Sequence, residues 1–168
     1  MRLQKYLNEY KHSEFITLWE VQQQFHSYIL DEIFDKDVKL DKIEKGTSGF
    51  STHFNIGNDK YIFQAETYGN NIYGILFYRR DGLEMFKSKS GIKFPGDVFS
   101  GVFKSIRKLI DDRQVDGIHF NTDDNKLRSL YTKMEPLIVK RFPEFKLSKK
   151  IKKGNITEFL YLRKGVKI

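Results

Sequence analysis

The sequence predicts an α+β fold in which a mainly antiparallel sheet is flanked by helices. Between residues 38 and 77, short segments of alternating apolar and polar residues are separated by turn-forming residues, which is typical of an antiparallel meander. From residue 97 onward, two segments with helical spacing of apolar residues enclose a short apolar strand at residues 115–121. A strand between two helices indicates crossovers onto one sheet. We predict one domain over residues 1–168.

The first 35 residues are predicted to be helical. Ser13 is placed to cap a long amphipathic helix over residues 15–34. A shorter stripe at helical spacing precedes it, formed by Leu3, Tyr6, Leu7 and Tyr10. Residues 1–35 would therefore supply two N-terminal helices, and residues 36–168 the sheet with its two organising helices.

The sheet region divides into predicted strands at each turn-forming cluster. Four strands are expected near residues 38–43, 50–56, 61–65 and 72–77, and residues 79–96 are expected to form a polar loop with one short strand at residues 83–86. At the other end of the chain, residues 145–151 and 155–162 predict a terminal hairpin around Gly154.

The two organising helices follow from the positions of large apolar residues. The first has Phe99, Val102, Phe103, Ile106, Leu109 and Ile110 on one face, and Asp97 is the expected N-cap. The second has Leu127, Leu130, Tyr131, Met134, Leu137 and Ile138 on one face. Its capping candidates are Asn121, Thr122 and Asp123, and Pro136 is expected to kink or break it.

Composition excludes several classes of site and location. The chain has no cysteine, so disulfides and thiolate metal sites are excluded, and its four histidines lack ligand spacing, so we expect no metal. No apolar run approaches the roughly 20 residues that a membrane span needs, and the N-terminus lacks a signal-peptide core. We therefore expect a soluble protein that is not exported and has no membrane partner.

Positive charge is concentrated at the C-terminal end. The net charge is +8, and residues 140–168 hold 10 Lys and Arg against 2 Asp and Glu. A basic cluster attracts phosphates or acidic partners, whereas a lysine-rich edge strand also prevents edge-to-edge pairing, and both interpretations stay open here. The candidate basic patch consists of Lys146, Lys149, Lys150, Lys152, Lys153, Arg163, Lys164 and Lys167.

The predicted order of elements resembles the GNAT acetyltransferase superfamily over about residues 36–163. Motif residues at the second organising helix carry the likeness: Asn125, then Leu130-Tyr131 ahead of Lys133, with Arg128 where the family has a small residue. The chain is also similar to small GNAT-like proteins of bacteriophages. These share a Gly-Asp-small-Phe-x-Val-Phe helix start, a strand ending in Phe and an Arg-x-x-Leu-Tyr helix, here Gly96 to Phe103, Phe120 and Arg128 to Tyr131.

The resemblance implies which residues would bind acyl-CoA and which would act on it. The pyrophosphate loop of the family corresponds to Lys93, Gly96, Asp97, Val98 and Phe99. Val98 stands where the pattern has almost no side chain, Asp97 places a carboxylate beside the anion, and Pro95 removes an N–H donor. Tyr131 corresponds to the general acid that protonates the leaving thiolate, and Asn125 to a supporting polar residue. The strands offer Glu66, His53 or Tyr73 as a base, and the sequence does not choose among them.

Three functions remain open from the sequence. The leading hypothesis is a phage-type GNAT-like protein with a degenerate acyl-CoA site and no cofactor, which binds a phage or host protein in the virion or the host cytoplasm. The alternative is an active N-acetyltransferase that uses acetyl-CoA. The third is nucleic-acid binding through the basic hairpin. Phe145, Phe159 and Tyr161 would then stack on bases, whereas their alternation also fits core residues of the two strands, and both interpretations stay open here.

Overall fold

The described part of the chain is an α+β structure, as predicted. The computed structural model describes residues 37–82, 87–88, 91–92 and 95–167, so the predicted N-terminal helices and the predicted strand at residues 83–86 lie outside the described residues. The elements are, in order, β1 (Leu40–Lys45), β2 (Gly49–Ile56), β3 (Asp59–Thr67), β4 (Ile72–Arg79), β5 (Lys87–Ser88), β6 (Gly91–Ile92), α1 (Pro95–Asp112), β7 (Gly117–Thr122), α2 (Asn125–Arg141), β8 (Phe145–Lys153) and β9 (Ile156–Arg163).

Seven of these strands form one sheet in the order β1-β2-β3-β4-β7-β9-β8. The first four are consecutive antiparallel neighbours, which confirms the predicted meander. β7 lies parallel to β4 because the chain returns through α1, and β9 inserts antiparallel between β7 and β8. The sheet is therefore mostly antiparallel, with a parallel junction between β4 and β7. The short strands β5 and β6 pair separately.

The core lies on one face of this sheet, beneath both described helices. Along β2, β3 and β4 every second residue is buried, as the period-2 pattern of a strand requires. The ring of Phe77 contacts Phe99 of α1 and Tyr131 of α2, so both helices pack on the same face. α1 approaches β2 closely at Gly101, where a Cβ would overlap the ring of Phe54.

The start of α1 and the course of α2 differ from the sequence predictions. α1 begins at Pro95, so Asp97 lies in the first helical turn and the prediction that it is the N-cap is wrong. α2 continues through Pro136 to Arg141, so the predicted break is also wrong. Met134, Leu137 and Ile138 on both sides of the proline are buried, and this packing outweighs the lost backbone hydrogen bond.

A buried ion pair joins the ends of β3 and β4. Arg79 is 2% exposed, and its guanidinium donates hydrogen bonds to Asp59 at 3.3 Å and to Asp81 at 2.8 Å. Burial raises the pKa of the nearby Tyr61 to about 12. The Arg79 guanidinium opposes this rise, and the carboxylates of Asp59, Asp81 and Asp97 add to it more weakly. Buried charges need oppositely charged partners, because an unpaired buried ion lowers the stability of the fold. The ion pair therefore fixes the end of the meander next to the start of α1.

Among the described residues, neither helix is sufficiently long and apolar to cross a membrane.

Candidate functional site

A cleft opens where the parallel strands β4 and β7 stop pairing. Their register runs only from Ile72 opposite Gly117 to Gly74 opposite His119, although β4 continues to Arg79. Beyond this point a cavity of about 440 Å³ lies between the strands and the start of α2. The residues lining it are Ile75, Leu76, Phe77, Asn121, Thr122, Asp123, Tyr131, Ile156 and Glu158.

Tyr131 is the predicted site residue that lines this cleft. It is 7% exposed and packs among the rings of Phe77, Phe99, Phe120 and Phe159, with centroids 5.7–6.4 Å away. Burial, together with the charge of Asp124, raises the pKa of Tyr131 well above its usual value. Its phenol therefore stays protonated at neutral pH. A protonated phenol can donate a hydrogen bond, but the raised pKa makes it a weaker proton donor than an ordinary tyrosine.

The predicted supporting residue, Asn125, is not in the cleft, and other polar residues line it instead. Asn125 lies exposed at the first position of α2 and is not among the residues that line the cavity. The end of β7 contributes instead, with Asn121 and Thr122, followed directly by Asp123. The Thr122 hydroxyl accepts a hydrogen bond from the Asp124 amide at 3.1 Å. Their position at the carboxyl end of β7 was the available signal, because ligand-binding side chains often gather at such strand ends.

The start of α1 is packed into the protein. Gly96 is buried and Asp97 half-buried, while Val98 and Phe99 are 0% and 1% exposed. The ring of Phe99 lies 5.4 Å from that of Phe77 and 6.3 Å from that of Tyr131. Lys93, the predicted phosphate contact, lies outside the described residues. The backbone N–H groups of Gly96, Val98 and Phe99 are therefore covered, although an anion site at a helix start needs exposed N–H groups.

None of the three residues considered as a general base lines the cleft. Tyr73 is buried in the core, and His53 lies on β2 with its Nε2 3.9 Å from Glu44. Glu66 lines a second cavity of about 270 Å³ on the face of the sheet opposite to the helices, together with His119. The two cavities share Ile75, Leu76 and Asn121, so they adjoin the same junction from its two sides.

The basic patch lies mostly on β8, at the edge of the sheet, where Lys146, Lys149, Lys150, Lys152 and Lys153 are all exposed. Lys150 and Lys152 stand opposite Phe159 and Thr157, on the helix face, and Lys149 and Lys153 stand opposite Leu160 and Ile156, on the other face. A register shift between Leu147 and Lys149 changes the alternation. The lysines therefore surround an edge and do not form one basic face.

The predicted basic patch also included residues at the end of β9 and beyond it, and the structure gives these residues different roles. Arg163 is structural, because it donates a hydrogen bond to the Val115 carbonyl at 2.8 Å and its guanidinium covers the ring of Phe145. Lys164 and Lys167 are exposed beyond β9. Of the two interpretations of the aromatic residues, core packing is confirmed and base stacking is wrong, because these rings are buried: Phe145 0%, Phe159 1% and Tyr161 1% exposed.

No protein-family model matches the chain, and no characterised protein matches it in sequence. Among solved structures, the crystal structure of an uncharacterized protein from Bacillus halodurans is similar to the chain, with a TM-score of 0.43 and 9% sequence identity. The similarity covers 96% of this chain and 79% of that one. A likeness of this size carries no argument about function.

Proposed function

We propose that the protein is a phage-type GNAT-like protein that does not use acyl-CoA and acts by binding another protein. The order of the described elements and the cleft at the parallel junction support the GNAT-like assignment. The main evidence that the protein does not use acyl-CoA is the covered start of α1, where Val98 has no exposed surface. A pyrophosphate cannot reach covered N–H groups unless the core residues around them move.

Charge at the same turn supports this proposal. A carboxylate in the first turn interacts favourably with the positive end of the helix, and Asp97 supplies one. The chain thus places its own anion where the acyl-CoA enzymes bind a phosphate.

The partner in this proposal is a phage or host protein, and the protein acts in the virion or the host cytoplasm. The support is the resemblance of the Gly96 to Phe103 and Arg128 to Tyr131 segments to small phage proteins.

We expect isothermal titration calorimetry to detect no binding of acetyl-CoA or CoA to the parent protein. Asp97→Asn removes the carboxylate charge and keeps the side-chain shape, and it should also bind neither ligand, because the covering side chains remain. The exposed Asp111 provides the matched control, Asp111→Asn. Saturable one-to-one binding by the parent at micromolar concentration would contradict the proposal.

An active N-acetyltransferase is the second candidate, favoured by the place of Tyr131 in the cleft. It requires acetyl-CoA binding together with release of CoA in the presence of an amine. Under this alternative Tyr131→Phe keeps the ring packing, retains acetyl-CoA binding and slows CoA release, because only the proton donor is lost. Acetyl-CoA binding by the parent without CoA release from any amine would argue against it.

Nucleic-acid binding is the third candidate, favoured by five exposed lysines on β8. Since the neighbouring aromatic residues are buried, binding would depend on phosphate contacts alone, and its affinity would fall steeply with salt. Under this alternative, the triple change of Lys149, Lys150 and Lys153 to Glu reduces the slope of log affinity against log salt by about 2–3 in fluorescence anisotropy with duplex DNA. Changing the exposed Lys39 and Lys60 to Glu is the control. An equal loss in both variants would exclude a β8 interface.

A further inference from the structure

Strand β8 lies at one end of the seven-stranded sheet, and its outer edge is open. It pairs with β9 and with no other strand of the described residues. From residue 148 to residue 153 every residue of the strand is exposed. An edge strand directs the N–H and C=O groups of every second residue away from its neighbour. The outer edge of β8 therefore presents backbone donors and acceptors that another strand could satisfy.

Five consecutive residues of this edge have the sequence Lys-Lys-Ile-Lys-Lys, with Ile151 at the centre. Lys150 and Lys152 lie on the helix face of the sheet, whereas Lys149, Ile151 and Lys153 lie on the other face. Each face therefore carries two lysines, and the order is the same in both chain directions. Ile151 is 36% exposed, so an apolar side chain is accessible between the charges.

The positive charge of this edge is only partly compensated. Lys153 lies 3.5 Å from the Glu158 carboxylate. Lys150 donates a hydrogen bond to the neutral Thr132 hydroxyl at 3.0 Å. In the part of the chain that the structure describes, no carboxylate forms an ion pair with Lys149 or Lys152. A strand with carboxylates at the matching positions would therefore gain opposite-charge pairs on both faces of the sheet.

A second copy of the chain does not fit this edge. In an antiparallel pair of two β8 strands centred on Ile151, Lys149 would stand opposite Lys153, and Lys150 opposite Lys152. Like charges directly opposite each other destabilise a strand pair, and lysines on an edge strand prevent pairing between copies for this reason.

A nucleic acid fits the edge less well than a peptide strand does. Its phosphates would approach the outward carbonyl oxygens of β8, which cannot donate to an anion, and the lysines are divided between two faces. A peptide strand satisfies both the N–H and the C=O groups of an edge, and its alternating side chains reach both faces. The geometry of the charges therefore favours an acidic peptide.

We propose that an extended acidic segment of a partner protein adds to the outer edge of β8 as a further strand. Its sequence has two acidic residues, one apolar residue and two acidic residues, so that the carboxylates meet the four lysines and the apolar side chain meets Ile151. Because the edge has the same order in both directions, the segment can pair parallel or antiparallel. This inference rests on the proposed function, since it specifies the segment of the partner and the surface that binds it.

Hydrogen exchange measured by nuclear magnetic resonance tests the edge directly. The probe is the terminally blocked peptide Thr-Glu-Glu-Val-Glu-Glu-Thr. The control is the same peptide with N-methyl groups on the valine and on the next glutamate. Successive residues of a strand direct their N–H groups to opposite sides, so one methyl group must face β8.

The unmodified peptide should slow the exchange of the outward amides of residues 149–153 about tenfold or more at saturation, and the methylated peptide should not. Equal protection by both peptides, or no protection by the unmodified one, would overturn the proposal. Protection of all five amides in the protein without peptide would overturn it as well, because the edge would then already be paired.

A charge-reversal pair tests the lysines. Lys149→Glu with Lys152→Glu places one carboxylate on each face and should weaken binding of the dye-labelled peptide about tenfold or more in fluorescence anisotropy. Lys39→Glu with Lys60→Glu changes the net charge equally at exposed positions before β1 and on β3. At physiological ionic strength this control should change the affinity less than about twofold, because distant charges are screened. An equal loss in both variants would overturn the proposal.

Two further comparisons separate this inference from the other functions. Tighter binding of a short duplex DNA than of the peptide to the same amides would assign the edge to nucleic acid and overturn the proposal, whereas weaker binding supports it. Binding of acetyl-CoA would contradict the proposed function and leave the strand addition standing. Failure of the peptide in a protein that binds no acetyl-CoA would overturn the strand addition alone.

Discussion

Replacing Arg79 with methionine is expected to lower the free energy of unfolding by about 3–5 kcal/mol, because the change leaves a buried carboxylate without its ion-pair partner. The side chain of Asp59 is 2% exposed, and that of Arg79 is 1% exposed. Urea denaturation followed by circular dichroism measures the loss. The neighbouring Arg80 is exposed, so Arg80→Met serves as the matched control with a change within about 0.5 kcal/mol.

Two further variants separate the roles of the acidic partners. Asp81 has a side chain that is 32% exposed, so Asp81→Asn should cost about 1 kcal/mol or less. The double variant Asp59→Asn with Arg79→Met should be more stable than Arg79→Met alone, because no buried charge then remains unpaired. A double variant as unstable as the single one would show that Arg79 acts through packing and not through its charge.

Truncating Phe99 to alanine is expected to lower the free energy of unfolding by about 3–5 kcal/mol, through lost burial and the cavity left behind. The ring is 1% exposed and contacts Phe77, Phe103 and Tyr131, so it joins α1, β4 and α2. Urea denaturation again measures the effect. Tyr68→Ala, which removes a ring that is 71% exposed, is the control and should change stability by about 0.5 kcal/mol or less.

The Phe99 variant also tests the covered α1 start. A cavity beside Phe77 and Tyr131 loosens the packing that covers the first turn of α1. If Phe99→Ala destabilises by less than about 1 kcal/mol, the start of α1 is not tightly packed, and the central argument against acyl-CoA binding is lost.

Local sequence patterns predicted most of the secondary structure, because the spacing of apolar residues that distinguishes a strand from a helix is present within each segment. The buried residues Phe50, Thr52, Phe54 and Ile56 were identified from alternation alone, and β2 has them all on the core face. The terminal hairpin was found in the same way. The helix ends were less well predicted. Asp97 was predicted to be the N-cap although Pro95 is the first helical residue, a position that proline favours locally, and at Pro136 the packing of α2 against the sheet outweighs the local preference for a break.

The candidate site was predicted only in part. Tyr131 was identified through the resemblance and lines the cleft, while Asn125 lies outside it. Arg79 was missed because a single arginine at the end of an alternating segment looks like an exposed terminus. Its burial depends on Asp59, 20 residues earlier, and on the register that places their strands side by side.

The sequence by itself determined the α+β class, the meander, the strand between two helices and the basic C-terminal hairpin, because periodicity and charge are properties of contiguous residues. Only the tertiary structure decided where β4 and β7 part, that Val98 and Phe99 are covered, and that the β8 lysines lie on both faces of an edge. These features depend on pairing and burial between residues far apart in the chain, which no local pattern contains.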